Sequence, residues 1–539
     1  MIPSVQGLRR TIPERSNPAD RGRFPWNPTE PRSSGPARCS DFPPLWASAS
    51  RRSGRSSSAV WRSCTGPRCR TTRNPPERRA WTFPMREPWD LSLSEAASLI
   101  AAGRLSPVDL IESTLGRIER VEPRVQAWAR VRAEDAGREA RRLAQLQRTG
   151  TIVGPLHGIP FGVKDIFNTA GIETACGSRI MAGVVPPADS TAVARLRASG
   201  AIILGKTHTT EFAWADPSPA RNPWALDHTP GGSSSGSGAA LAARMCQGAL
   251  GSQTSGSIVR PSAFCGVVGL KPTFGRVSRH GVHPLAWTLD HPGPMARTVR
   301  DVALILEAIA GPDAHDPATL SAPAPPRYAA LLDKHDEGAK GLRIGIPDRY
   351  FTDGVDPEAE ELYRTALRVL ETVGCAIREI RLPPEFEAGM EAHEVIVNAE
   401  VAAVHLDRYR ARSDDYGSKL RATIETGLQI PAPTYVRAQQ VRTVVIRGLR
   451  AVLREVDAIA TPAALGPAPE GLASTGSPVL NRPFSFTGFP SLSVPCGFTE
   501  TGLPVGLQLA GRPFDEMTVL RAAAAYEGAT GWGRRIPPL

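Results

Sequence analysis

The stretch from Gly231 to Pro261 constrains this chain more than any other. It reads Gly-Gly-Ser-Ser-Ser-Gly-Ser-Gly, then an alanine-rich run, then Gly251-Ser-Gln-Thr-Ser-Gly-Ser-Ile-Val-Arg-Pro261. Glycine and serine in such proportion commonly form a flexible linker. A linker does not lie between core segments, yet here an apolar run separates two serine clusters and the apolar residues 263–270 follow at once. Residues 239–247 are expected to form a buried helix with a serine-rich turn at each end. Turns of this kind present backbone N–H groups and hydroxyls to a ligand. A dinucleotide cradle is a poor alternative, because Gly236-Ser-Gly238 lacks the third glycine of that fingerprint.

Charge divides the chain in two. The formal net charge of +11 is carried by residues 1–84, which hold sixteen arginines, no lysine and five acidic residues; the rest balances forty-eight basic against forty-eight acidic residues. The N-terminal segment is rich in Arg, Ser and Pro and shows no hydrophobic periodicity, so it is expected to be disordered. A nucleic-acid-binding tail, a transit peptide and a twin-arginine signal are weaker readings than an over-extended start, with the globular pattern opening at Met85. The balanced remainder implies no nucleic-acid partner. No run approaches the ~20 apolar residues of a membrane span. The eight scattered cysteines (Cys39, Cys64 and Cys69 in the tail; Cys176, Cys246, Cys265, Cys375 and Cys496 in apolar contexts) read as free thiols of a cytoplasmic protein rather than a disulfide framework. No His or Cys pairing has ligand spacing, so neither a metal nor another cofactor is implied.

From Leu91 the pattern is helical. A first helix is capped by Ser92 or Ser94 and closed by Gly103; a second starts at Ser106-Pro107 and ends before Pro123; a third, charged, covers 133–147. Together they make a helical lead-in over 91–150. Residues 155–207 alternate apolar runs with helices, which predicts α/β units and a sheet that is at least partly parallel. Within them Gly200-Ala-Ile-Ile-Leu-Gly205-Lys206-Thr207 matches the nucleotide-binding P-loop letter for letter. Context rejects it, because residues 201–204 are themselves the strand where a glycine-rich turn is needed, and residues 208–214 offer only a loop or short helix with no matching strand-encoded acidic partner. Further on, the pattern predicts a helix at 299–309 with Asp301 in its first turn, an exposed connection at 311–341, a strand at 342–347, a helix at 357–373 and a strand at 376–382. A mostly helical insert at 385–454 could roof a pocket, and strands over 458–508 precede a final helix at 516–530.

Three separated motifs resemble those of the amidase-signature hydrolase family. They are the Gly231–Pro261 stretch itself, its continuation Phe264-Cys-Gly-Val-Val-Gly-Leu-Lys-Pro-Thr273, and Gly158-Ile-Pro-Phe-Gly-Val-Lys164-Asp165. The likeness runs from about Leu91 to the C-terminus, taking in Asn481-Arg-Pro483 and Gly502-Leu-Pro-Val-Gly-Leu-Gln508. The resemblance implies one large α/β/α core with a mixed central sheet flanked by helices, and a catalytic core at 151–310. It implies amide hydrolysis through an acyl-serine: Ser257 as nucleophile, Ser233 after a cis peptide as the bridging serine, Lys164 as base. The backbone N–H groups of Thr254, Ser255, Gly256 and Ser257 would hold the oxyanion, with Ser234 supporting the network.

For Lys164 to accept a proton it must be neutral, although free lysine titrates near ~10.4; burial favours that form. Asp165 next door opposes it unless strand alternation turns it away. Where the family commonly has two glycines before the nucleophile, this chain has Ser255, and a positive φ there would cost ~1–2 kcal/mol. Arg260 resembles the arginine of malonamidase-like enzymes that binds a substrate carboxylate; pairing with a core acid is the somewhat stronger expectation. The expected activity is that of a freestanding amidase acting on a small-molecule amide, possible as a homodimer. The alternatives are an A-type glutaminase subunit of a tRNA-dependent amidotransferase, or a hydrolase of carbamate or urea-type amides.

Overall fold

The computed structural model describes residues 86–334 and 338–539. The Arg-rich N-terminal segment and its three cysteines lie outside the described residues. Eleven strands form one sheet: β1 (Trp128–Val131), β2 (Pro160–Lys164), β3 (Ile202–Thr207), β4 (Gly248–Gln253), β5 (Val268–Lys271), β6 (His291–Ala296), β7 (Arg343–Pro347), β8 (Ala376–Ile380), β9 (Ala458–Pro462), β10 (Ser491–Phe498) and β11 (Pro504–Gly511). Their order is β1-β3-β2-β4-β6-β5-β10-β11-β9-β7-β8. β2 runs parallel to β3 and β4, and β7 parallel to β8 and β9; the other neighbours are antiparallel. The sheet is therefore mixed, and its central strands are buried because helices flank them.

Several expected elements appear at their predicted bounds. The capping box Ser92–Glu95 starts Leu93–Ala101, and the helices Val299–Ile309 and Glu516–Thr530 match the amphipathic pattern. Asp301 does more than face a helix N-terminus: its carboxylate accepts the backbone N–H of Leu93 and Ser94. The insert consists of Phe386–Arg412, Ser418–Leu428 and Ala432–Glu455.

Other expectations are corrected. The second helix, Pro107–Val125, runs through Pro123. Burial of Val121 and Val125 holds its last turn, and the Glu122 carboxylate accepts the N–H groups of Ala127 and Trp128 where the chain turns away. The buried helix is shorter and earlier than expected, Ser235–Ala242, and the second serine cluster begins as strand β4. The first serine cluster thus supplies the opening turn of the helix itself. Residues 311–341 do not simply lie exposed: Asp316, Thr319 and Tyr328 are buried, and Asp316 holds the Arg279 guanidinium at 2.7 Å. A short helix, Arg482–Thr487, interrupts the C-terminal strands.

β6 has no counterpart in the sequence reading, since Pro292 and Pro294 argue against a central strand. The register explains it. β6 pairs with β4 along its whole length, but with β5 only at Met295 and Ala296, so the prolines lie where a second neighbour is absent. The P-loop lookalike is likewise strand: Lys206 lies inside β3, and a Cβ on Gly205 would collide with the Arg130 carbonyl oxygen of β1. That glycine serves strand packing.

Beneath the sheet, Glu516 (0 % exposed) accepts from the Arg276 guanidinium at 3.2 Å, the Thr273 N–H and the Tyr328 hydroxyl. Removing one partner of a buried pair strands the other charge. Glu516→Ala is expected to lower unfolding stability by about 3–5 kcal/mol in chemical denaturation; a loss under about 1 kcal/mol would mean that Arg276 finds water. No helix among the described residues is long and apolar enough to cross a membrane.

Candidate active site

Lys164 ends β2 and is wholly buried. Its Nζ donates to Ser233 Oγ at 2.7 Å, to Ser252 Oγ at 2.8 Å and to the Ser252 carbonyl at 3.3 Å. Burial pushes its pKa well below the ordinary lysine value, against the opposing field of Asp290. Asp165 does not interfere. It turns to the other face, where Lys206 Nζ is 3.6 Å from its carboxylate and Ala175 N–H donates to it.

The Gly232–Ser233 peptide is cis, as the resemblance implies. Ser233 is buried, and the next residues tie its loop to the second cluster: Ser234 N–H donates to the Ser257 carbonyl, and Ser234 Oγ bridges the carbonyl and N–H of Ser252, all at 3.3 Å.

Ser257 stands in the turn between β4 and the helix Val259–Cys265. Gln253 shapes that turn: its carboxamide oxygen accepts the N–H groups of Ile258 and Val259 at 2.8 and 2.9 Å, and its nitrogen donates to Ser485 Oγ. Ser485 in turn donates to the Ser255 carbonyl, and Thr254 Oγ1 donates to Asp290 at 2.6 Å. With carbonyls and side chains so held, the N–H groups of Ser255, Gly256 and Ser257 donate to no protein acceptor among the described residues. Unpaired backbone N–H groups in one turn are of the kind that suits a developing oxyanion.

A cavity of about 280 Å³ opens onto this turn. Thr254, Ser255, Gly256, Ser257 and Arg260 line it, with His393 of the helical insert opposite. Of the residues expected at the site, these five face the cavity, while Lys164, Ser233 and Ser234 stand behind it. No hydrogen bond joins Ser257 Oγ to Ser233 Oγ.

Two expectations are revised. Ser255 does not carry a left-handed backbone, so its Cβ costs nothing there; its hydroxyl meets His393 Nε2 at 3.3 Å. Arg260 pairs with no acid. Its guanidinium donates to the carbonyls of Gly476 (2.5 Å) and Gly232 (2.7 Å) and to Thr475 Oγ1 (3.0 Å), so three backbone and hydroxyl acceptors replace the carboxylate.

Sequence reasoning misses Ser252, Asp290 and His393. Ser252 lies inside the quoted stretch and is the findable one; Asp290 and His393 carry no local signal and reach the site only through folding. The five described cysteines, Cys176, Cys246, Cys265, Cys375 and Cys496, are buried and unpaired.

The family model described as Amidase matches residues 109–520. The A subunit of the glutamyl-tRNA(Gln) amidotransferase of Myxococcus xanthus is 41% identical over 488 residues, covering 84% of this chain and 99% of that protein. The same-named protein of Roseiflexus castenholzii is 41% identical over 486 residues, covering 83% and 98%. Among solved structures, the native peptide amidase of Stenotrophomonas maltophilia superposes with a TM-score of 0.73 at 33% identity, covering 83% of this chain and 98% of that one. A chain from a vestigial complex bearing on the origins of an s-triazine catabolic enzyme gives 0.77 at 34%, covering 82% and 99%. Three motifs in order, a mixed sheet that brings them together and a family match across most of the chain lead to one conclusion: this protein belongs to the amidase-signature family and is a hydrolase of amide carbon–nitrogen bonds.

Proposed function

We propose that this protein hydrolyses a small-molecule carboxylic amide through an acyl intermediate on Ser257, with Lys164 as base and Ser233 between them. The observation that carries this reading is the buried Lys164 Nζ donating to Ser233 Oγ at 2.7 Å, with burial favouring the neutral amine. Ser257 Oγ attacks the amide carbonyl carbon, and its proton passes through Ser233 to Lys164. The carbonyl oxygen takes the negative charge and is met by the N–H groups of Thr254 to Ser257. As the C–N bond breaks, the proton returns through Ser233 to the leaving nitrogen, releasing ammonia or an amine. Water then attacks the acyl carbon by the same route and frees the acid. The Ser257 hydroxyl must swing onto Ser233 for the first transfer, and such contacts commonly tighten only when substrate binds. Nothing in these steps calls on a metal or cofactor. A cytoplasmic setting fits the unpaired thiols.

A second reading is favoured by the relatives that are named as amidotransferase A subunits: the same site would release ammonia from glutamine for a partner. The test is product release from neutral amides, half-amides of dicarboxylic acids, an anilide, a carbamate and glutamine, with mass analysis of the peptide bearing Ser257 after rapid quench. Turnover of one non-glutamine class with an acyl increment on Ser257 is the expected result. Ammonia from glutamine alone selects the amidotransferase reading, and turnover without Ser257 modification would overturn both.

Arg260 in this proposal is a support. Its donors brace Gly232 and the Thr475–Gly476 segment. Arg260→Ala is expected to reduce kcat about 10–100-fold for neutral and carboxylate-bearing amides alike. A loss confined to KM for acidic amides would instead make it a reader of substrate charge.

A further inference from the structure

A base buried as deeply as Lys164 raises a question that its three oxygen partners do not answer. On accepting the Ser257 proton it becomes an ammonium with no solvent contact, and an uncompensated buried charge is strongly disfavoured. We propose that Asp290 is the counter-charge of the site: its carboxylate balances the Lys164 ammonium and at the same time fixes Thr254 at the head of the N–H turn. This rests on the reading of Lys164 as base.

The placement comes from the sheet. β4 and β6 pair with Gln253 opposite His291, so Asp290, one residue before β6, lies beside Thr254. One carboxylate oxygen accepts Thr254 Oγ1 at 2.6 Å; the other accepts the N–H groups of Leu285 and Ala286 at 2.8 and 3.1 Å. Ser252, whose hydroxyl holds Lys164 Nζ, lines the same cavity of about 20 Å³ as Thr254 and Asp290, large enough for one water molecule.

Competing charges are engaged elsewhere. The positive charge of Arg279, in the loop after β5, acts on Asp290, but its guanidinium is committed to Asp316 at 2.7 Å. Asp165 and Lys206 face each other on the opposite side of β2. His283, on the cavity wall, is driven down to about 4 by burial, and His291 lies well below its ordinary value for the same cause, so both are neutral. Asp290 is the charged group whose field reaches Lys164. Burial raises the Asp290 carboxyl to about 6, opposed by its three donors, so it is ionised at neutral pH and loses its charge in mildly acidic solution.

Asp290→Asn separates charge from position. The Asn oxygen can accept Leu285 and Ala286 N–H, and its nitrogen can donate to Thr254 Oγ1, so only the charge is removed. The measurement is kcat/KM against pH on an amide the wild type turns over, with the rate of Ser257 modification by a fluorophosphonate as a second readout independent of the leaving group. The expected result is an ascending limb displaced by about one pH unit or more to lower pH, since Lys164 loses its proton more easily. The plateau should fall about tenfold or more in both readouts, because the base is weaker. Thr254→Val, which breaks the positioning contact and keeps the charge, should lower the plateau and leave the limb in place. An Asp290→Asn limb superimposed on the wild type, or an equal displacement in Thr254→Val, overturns the inference. Lys164→Met tells the two levels apart: if it keeps turnover, the reading of Lys164 as base fails; if it is inactive while the Asp290→Asn profile is unmoved, only the counter-charge fails.

Discussion

Lys164→Met is expected to cost about 10⁴-fold in kcat on any amide the protein hydrolyses, because in the proposed mechanism proton transfer from Ser257 and back to the leaving nitrogen both lose their carrier. Methionine fills the same buried channel, so the fold should persist. The stability readout is as informative as the rate. In the folded protein burial depresses the Lys164 pKa, whereas in the unfolded chain it titrates near ~10.4. Between the depressed folded value and ~10.4 the unfolded state binds one more proton, so lysine at this position makes stability rise with pH across that window. Methionine removes that slope. Melting midpoints of the two proteins should therefore differ most in favour of methionine at the acid end and converge, or cross, as pH approaches ~10. Parallel midpoint curves would show that Lys164 is charged in the folded state, and the base assignment would fall with them.

Gly256→Ala should disable the site from the opposite side. A Cβ at Gly256 would lie 2.6 Å from Asn481 Oδ1 and 3.0 Å from Pro478 Cβ. Asn481 has little room to yield: its nitrogen donates to the Ala463 carbonyl and to Gln508 Oε1, and Gln508 is itself tied to Thr461 and the Leu480 carbonyl. The turn must move instead, carrying the Gly256 and Ser257 N–H groups and the proposed nucleophile off their positions. Loss of one oxyanion donor costs about 10²–10³-fold in kcat, and a displaced nucleophile adds to it. Activity within about threefold of wild type, with an unchanged melting midpoint, would show that this turn does not hold the oxyanion. The adjacent position behaves differently. Ser255 already carries a Cβ at no backbone cost and points its hydroxyl to His393, so Ser255→Gly loses one long hydrogen bond and no geometry.

Legibility along this chain follows the range of the physics involved. Helices such as Val299–Ile309 and Glu516–Thr530 can be read to the residue because amphipathic spacing and caps are local. Strand β6 cannot, because its two prolines are acceptable only through a register with β4 and a short β5. The end of the buried helix at Ala242 is missed for a related reason: Gly248–Gln253 forms a strand because β2 and β6 lie on either side of it.

The sequence by itself determined the family and the mixed α/β class and nominated Lys164, Ser233 and Ser257, since motif order and residue type are properties of the chain. Only the tertiary structure decided what each group does with its neighbours. It set Asp165 against Lys206 and away from Lys164, gave Arg260 three oxygen acceptors in place of an acid, and brought Ser252, Asp290 and His393 to the site. Proton affinity and positioning at a buried site are sums of desolvation and fields over residues far apart in the chain, and those sums exist only once the chain has folded.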